Sequence, residues 1–105
     1  MNAIANVDSA PHTTLELIVD NHAGVMTHVC GLFSRRAFNL EGILCMPLGD
    51  GARSRLLLRV RNDGRLEQLM KQLEKLEDVH SARHDENRDV FARLAAFAVQ
   101  AWREA

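Results

Sequence analysis

The stretch Asn21 to Leu48, NHAGVMTHVCGLFSRRAFNLEGILCMPL, decides how this chain folds. It opens with a polar turn, Asn21-His22-Ala23-Gly24, and runs on as an amphipathic segment to Arg36. It breaks at Ala37-Phe38-Asn39 and resumes as a mostly apolar stretch from Leu40 to Leu48. The pattern reads as strand end, turn, helix, short loop, strand. A turn of this kind exposes backbone N–H groups at a helix start, where a carboxylate or phosphate binds without a dedicated cation. Gly24 lets a ligand approach the main chain closely. Two plainer readings stand beside this one: Asn21 as a cap of the helix, and Asn39 as a turn residue alone. The turn is read here as a small-molecule sensing site in a protein that regulates rather than catalyses.

The flanking chain supplies the remaining elements. Thr13 to Asp20 alternates, with Leu15, Leu17 and Val19 on one side and Thr14, Glu16, Ile18 and Asp20 on the other, as in a half-buried strand. The helix over Gly24–Arg36 gathers Val25, Val29, Leu32 and Phe33 on one stripe, with Met26 and Cys30 beside it. Gly31 in its middle suggests close contact with the sheet or a neighbouring subunit. Arg35 and Arg36 in the last turn suit the helix dipole. Phe38 to Leu48 reads as a second strand, with Leu40, Leu44, Met46 and Leu48 on a shared face. Gly42 within it predicts a bulge or a close backbone approach, and Pro47 predicts an edge. A turn at Gly49-Asp50-Gly51 leads to a third strand, Ser54–Val60, with Leu56, Leu58 and Val60 toward the core. Leu66, Leu69, Met70, Leu73 and Leu76 then mark a second helix over Arg65–Glu77. Val79–His84 is a weak fourth strand and Asp85–Asp89 a polar linker. A third helix from Val90 to Arg103 carries Val90, Phe91, Leu94, Phe97, Ala98, Ala101 and Trp102 on a broad apolar face. That face either folds back on the sheet or docks a partner chain. The organisation expected is a tail over residues 1–12, an α+β domain over 13–85 and an amphipathic helix over 86–105.

Composition bounds the function. At 105 residues the chain is one domain. A formal net charge of −1 argues against a general nucleic-acid binder, and the third strand has no aromatic for base stacking. No run approaches a membrane span, and the first residues lack the pattern of a signal peptide, which points to the cytoplasm. Cys30 and Cys45 fit neither a zinc pattern nor a disulfide framework and read as small core residues. His22 and His28, six apart across a helix start, do not read as sharing a face. His80 and His84 lack further ligands, so no metal site is expected. No catalytic cluster and no phosphate loop stand out.

The element order, strand–helix–strand–strand–helix–strand, is the ferredoxin-like βαββαβ plan with an antiparallel sheet. Particular residues go further. Asn21-x-x-Gly24-Val25-Met26, then Val29-Cys30-Gly31-Leu32-Phe33-Ser34-Arg35-Arg36, then Phe38-Asn39-Leu40-Glu41-Gly42, resemble the ACT domain of the small, regulatory subunit of acetohydroxyacid synthase (acetolactate synthase). The continuation GILCMPL and the segment from Arg65 to Val79 look like the isozyme I type. The likeness covers residues 14 to about 84 well.

The resemblance implies a homodimer whose two ACT domains pair into one sheet. It implies valine as the effector at that interface, and a catalytic subunit that this chain activates when docked and that valine inhibits. Thiamine diphosphate, magnesium and FAD belong to the catalytic chain, and none to this one. By the same resemblance the turn Asn21, His22, Ala23, Gly24, Val25 and Met26 receives the valine carboxylate, and the Asn21 amide helps to fix it. Asn39 contacts the effector from the partner subunit, and Leu40 with Ile43 lines the pocket for the isopropyl group. His22 and Ala23 stand where other isozymes commonly carry acidic and small residues. The alternative is a free-standing ACT sensor of an amino acid that regulates another enzyme or a transcription factor.

Overall fold

The computed structural model describes residues 12–85 and 90–104. Of the tail expected over residues 1–12, residues 1–11 lie outside the described residues, as do residues 86–89 of the linker; His12 is not tail but opens β1, paired with Arg61. The elements run β1 (His12–Asp20), α1 (Val25–Arg35), β2 (Leu40–Leu48), β3 (Arg53–Arg61), α2 (Leu66–Glu74), β4 (Val79–His84) and α3 (Val90–Glu104). The strands form one four-stranded antiparallel sheet in the order β2-β3-β1-β4. α1 carries the chain past a vacant position, and β3 hairpins back from β2 to fill it. β2 and β4 are left as the two edges. Asp85 is not linker: its N–H donates to the Thr14 carbonyl at 2.8 Å and extends the β4 ladder.

One face of the sheet is the core. Leu15, Leu17 and Val19 of β1 and Leu56, Leu58 and Val60 of β3 are fully buried beneath Val25, Val29, Leu32 and Phe33 of α1 and Leu66, Leu69, Met70 and Leu73 of α2. Each such side chain contributes about 1.5–3 kcal/mol of transfer free energy. Phe38 does not open β2. It drops into the core edge-on to Phe33, with ring centroids 6.3 Å apart, and the Arg65 guanidinium lies 4.3 Å from its centroid. Arg65 also donates to the Arg36 carbonyl at 2.8 Å, which closes the C-terminal end of α1. With φ −100° and ψ 8°, Arg65 is the N-cap of α2 and not its first residue. α2 stops at Glu74 and not at Glu77, because the Lys75 and Leu76 N–H groups turn to the carbonyls three residues back.

The strand around Gly42 departs from simple alternation. Leu40 pairs with Val60, but Gly42 pairs with Arg59, so Glu41 is the extra residue of a bulge. Leu40 packs against the core. Leu44, Met46 and Leu48 pair with Leu57, Arg55 and Arg53 on the opposite face. Leu40 and Leu44 thus do not share a face, contrary to the alternation expected. Gly42 also shows the close approach anticipated for it: a Cβ there would lie 2.8 Å from the Phe91 ring and 3.2 Å from the Arg59 Cβ. Gly31 shows no such approach to the sheet, since a Cβ there would meet only the Arg35 guanidinium.

α3 folds back only through its first turn. Val90 and Phe91 are half-buried, and Val90 closes one end of a groove of about 230 Å³ lined by Leu44, Met46, Leu48, Arg55 and Leu57. Further along, Phe97 is 71% exposed and Trp102 76% exposed. Among the described residues no helix is long and apolar enough to cross a membrane.

Candidate functional site

The turn between β1 and α1 is held from three directions. The Asn21 N–H donates to the Ala52 carbonyl at 3.0 Å and its side-chain amide donates to the Gly51 carbonyl at 2.7 Å. Asn21 therefore ties the turn to the β2–β3 hairpin and does not cap α1, whose N-cap is Gly24 without a side-chain partner. Gly51 takes φ +90°, a left-handed conformation that glycine adopts without strain and that presents its carbonyl to Asn21. His22 folds back on its own turn. Its Nδ1 accepts the Gly24 N–H at 3.1 Å, and its Nε2 lies 2.8 Å from Asp78 Oδ1. His28 brings its Nδ1 to 2.6 Å from Asp78 Oδ2. The two histidines, expected to diverge, converge on one carboxylate because the turn reverses His22 over the first helical turn. Hydrogen bonds from His28 and then His22 hold the Asp78 carboxyl below the usual aspartate range.

The turn's donors can be counted. The His22 N–H goes to the Asp20 carbonyl at 3.2 Å, the Val25 N–H to the His22 carbonyl at 3.2 Å, and the Gly24 N–H to the His22 ring. The N–H groups of Ala23, Met26 and Thr27 have no acceptor among the described residues. They are the donors the turn offers, at the positive end of α1. Val25 is buried with its N–H engaged, and Met26 packs on the core, so of the two only Met26 leaves a backbone donor free at the turn.

The second group of candidate residues lies elsewhere. Asn39 is exposed, with its amide 3.4 Å from Glu41 Oε2. Leu40 and Ile43 pair with Val60 and Leu58, both core-facing, so the bulge puts them on one face although they are three apart. Ile43 remains 46% exposed on the open edge. α1, 11 residues long, separates this group from the Asn21 turn by roughly 16 Å of helix. One copy of the chain gathers residues 21–26 at one end of α1 and residues 39–43 at the other, and does not join them.

Sequence reasoning missed the carboxylates that organise these groups. Asp78 clamps the turn. Glu41, the bulge residue, meets His12 and lies 3.2 Å from Arg61; hydrogen bonding from His12, with Arg61 beside it, holds its carboxyl below the usual range. Glu16 is 3% exposed on the sheet face away from the helices, with Arg83 Nε at 2.5 Å and Arg55 Nε at 3.0 Å from its oxygens. An acidic residue inside an alternating strand, with arginines on other strands, was the available signal for Glu16. Nothing in the local sequence points to Asp78, 50 residues from His28. Cys30 is half-buried but Cys45 is exposed on the β2 edge, so only the first resembles the core residue expected. Among the described residues no group of three or more His, Cys, Asp or Glu side chains is arranged to hold a metal.

Residues 15–81 match the family described as the AHAS small subunit-like ACT domain. The chain is 55% identical over 84 residues to the acetolactate synthase isozyme 1 small subunit of Escherichia coli K12, covering 79% of this chain and 88% of that one. It is 37% identical to the acetolactate synthase small subunit of Haemophilus influenzae, over 78% of this chain and 55% of the relative. The crystal structure of the acetolactate synthase small subunit from Thermotoga maritima superposes with a TM-score of 0.66 at 32% identity, over 75% of this chain and 50% of that one. With its fold, its N-x-x-G-V turn and these relatives in agreement, the chain belongs to the acetolactate synthase small-subunit family, as a regulatory subunit built on that family's ACT domain.

Proposed function

We propose that this subunit senses valine between two copies of itself, and that it activates and feedback-inhibits the catalytic chain of acetolactate synthase in the cytoplasm. One observation carries the reading. The Asn21 turn is stitched to the hairpin at the end of β2, whereas Asn39 stands just before β2 begins. β2 is an edge strand with Ile43 and Met46 exposed. Antiparallel pairing of β2 with β2 of a second copy, about a two-fold axis, sets the start of one strand beside the end of the other. That brings Asn39, Leu40 and Ile43 of one copy to the turn of the other. The free Ala23, Met26 and Thr27 donors take the carboxylate, and the apolar pair takes the isopropyl group. Burial of that group is worth about 1.5–3 kcal/mol. Selection against leucine or isoleucine is weak on the same scale, since one methylene is worth only about 1–3 kcal/mol. Coupling to the catalytic chain requires that valine bind the inhibitory arrangement of the dimer more tightly than the activating one. Thiamine diphosphate, magnesium and FAD are assigned to the catalytic chain.

Calorimetric titration of the purified chain with valine and with alanine tests the site. Saturable valine binding is expected, weakened at least about tenfold both in Asn21→Ala, which unties the turn from the Gly51 carbonyl, and in Asn39→Ala, which removes a polar contact from the second copy. A folded dimer that ignores valine would sink the reading. The free face of α3, with Leu94, Phe97 and Trp102 exposed, is assigned to the catalytic chain. Truncation before Val90 is expected to abolish activation of that chain while valine binding survives. Undiminished activation by the truncated chain would remove α3 from the contact.

A further inference from the structure

The histidine in the turn does more than hold it closed. Gly24 donates its N–H to His22 Nδ1, so that nitrogen carries the lone pair and the ring proton of neutral His22 is on Nε2, facing Asp78. A second proton must go onto Nδ1. An N–H then faces an N–H, and the bond to Gly24 cannot persist. At the same time the Nε2 contact to the Asp78 carboxylate becomes an ion pair, which draws the ring toward the carboxylate and away from the turn. The groups facing His22 are Asp78, from the turn before β4, and His28, from α1, whose ring centroid lies 6.3 Å away. Asp20 of β1 is engaged separately by His80 at 2.5 Å. Asp78 is one negative charge between two imidazoles, so it balances the first proton taken up by the pair but not a second.

We infer that His22 is a proton-controlled positioning residue: neutral, it withholds the Gly24 N–H from the turn; protonated, it releases that donor and sets a positive charge beside the start of α1. The released N–H joins those of Ala23, Met26 and Thr27 in one cradle for a carboxylate. Carboxylate binding therefore strengthens when the His22 ring takes up its second proton. The choice of valine as ligand rests on the function proposed above; the control of the Gly24 donor does not. Between about pH 8 and about pH 6 the charges of valine do not change, so any pH dependence of its binding belongs to the protein.

The test uses the full chain, as wild type, His22→Gln and His28→Gln. Glutamine at 22 can still accept from Gly24 but cannot titrate, and the turn is exposed, so folding is retained. In amide correlation spectra without ligand, the Gly24 resonance is expected to move with the titration of the His22 ring in wild type and in His28→Gln, and to stay fixed in His22→Gln. Calorimetry with valine is expected to show affinity rising about tenfold from pH 8 to pH 6, the worth of one hydrogen bond to a charged acceptor, except in His22→Gln, where it stays flat. A Gly24 resonance that ignores pH, or that moves equally in His22→Gln, overturns the proposal. So does valine affinity that is flat with pH in the wild type. If valine binds at no pH while Gly24 follows His22, the valine reading fails and the proton control of the donor stands.

Discussion

The two edges of the sheet are built differently. β4 is polar outward and fastened: His80, Ser81, Arg83 and His84 are exposed, Arg83 reaches the buried Glu16, and His80 reaches Asp20. β2 is apolar and open, with Ile43 46% and Met46 56% exposed and Cys45 bare beside them. Charged edges resist strand addition, and exposed apolar edges invite it. β4 is thus closed by its own side chains, and β2 is the open edge proposed above to receive a second copy. The same bulge that shifts Leu40 onto the core face aligns it with Ile43, so the edge proposed to pair also carries the candidate pocket.

The largest expected effect comes from making β2 resemble β4. Ile43→Lys buries a charge at any β2–β2 contact and removes an apolar side chain twice over, once in each copy. The dimer constant should weaken more than a hundredfold, about 3 kcal/mol or more, and valine binding should go with it. Ser81→Lys on β4 should change both by less than about 0.5 kcal/mol. Sedimentation equilibrium decides the matter: equal behaviour of the two variants would erase the distinction between the edges.

A smaller effect separates the two faces of β2. Gly42→Ala puts a Cβ 2.8 Å from the Phe91 ring, an overpacking that normally costs about 1–3 kcal/mol. Phe91 begins a helix that is otherwise exposed, so the ring can yield and the cost should fall near about 1 kcal/mol. Phe91→Ala in the same chain should recover it, and dimerisation should be untouched. Urea unfolding of the single and double variants measures this. A cost that persists in the double variant would locate the strain in Arg59 and the strand, not in α3.

Much of the fold was legible because it rests on short-range periodicity. Leu15, Leu17 and Val19, and Leu56, Leu58 and Val60, announce strands by alternation. Leu66, Leu69, Met70 and Leu73 announce a helix by their spacing at three and four. Gly42 and Pro47 mark a bulged edge in the sequence itself. Phe38 misled because an aromatic next to an apolar run looks like strand, while its burial against Phe33 and beneath Arg65 is a tertiary contact. Alternation also misassigned the faces of β2, since an inserted residue inverts every side chain beyond it.

By itself the sequence determined the elements, their order, and the turn and loop that carry Asn21 and Asn39. Those follow from residue types acting within a few positions of one another. The tertiary structure alone decided that His22 and His28 meet on Asp78, that Glu16 is buried between Arg55 and Arg83, and that Leu40 and Ile43 share a face. It also decided that the two asparagine-bearing groups sit at opposite ends of one helix. Each of these depends on chain closure over tens of residues, where a carboxylate's partner is set by sheet register and by the reversal of a turn, and no local pattern records either.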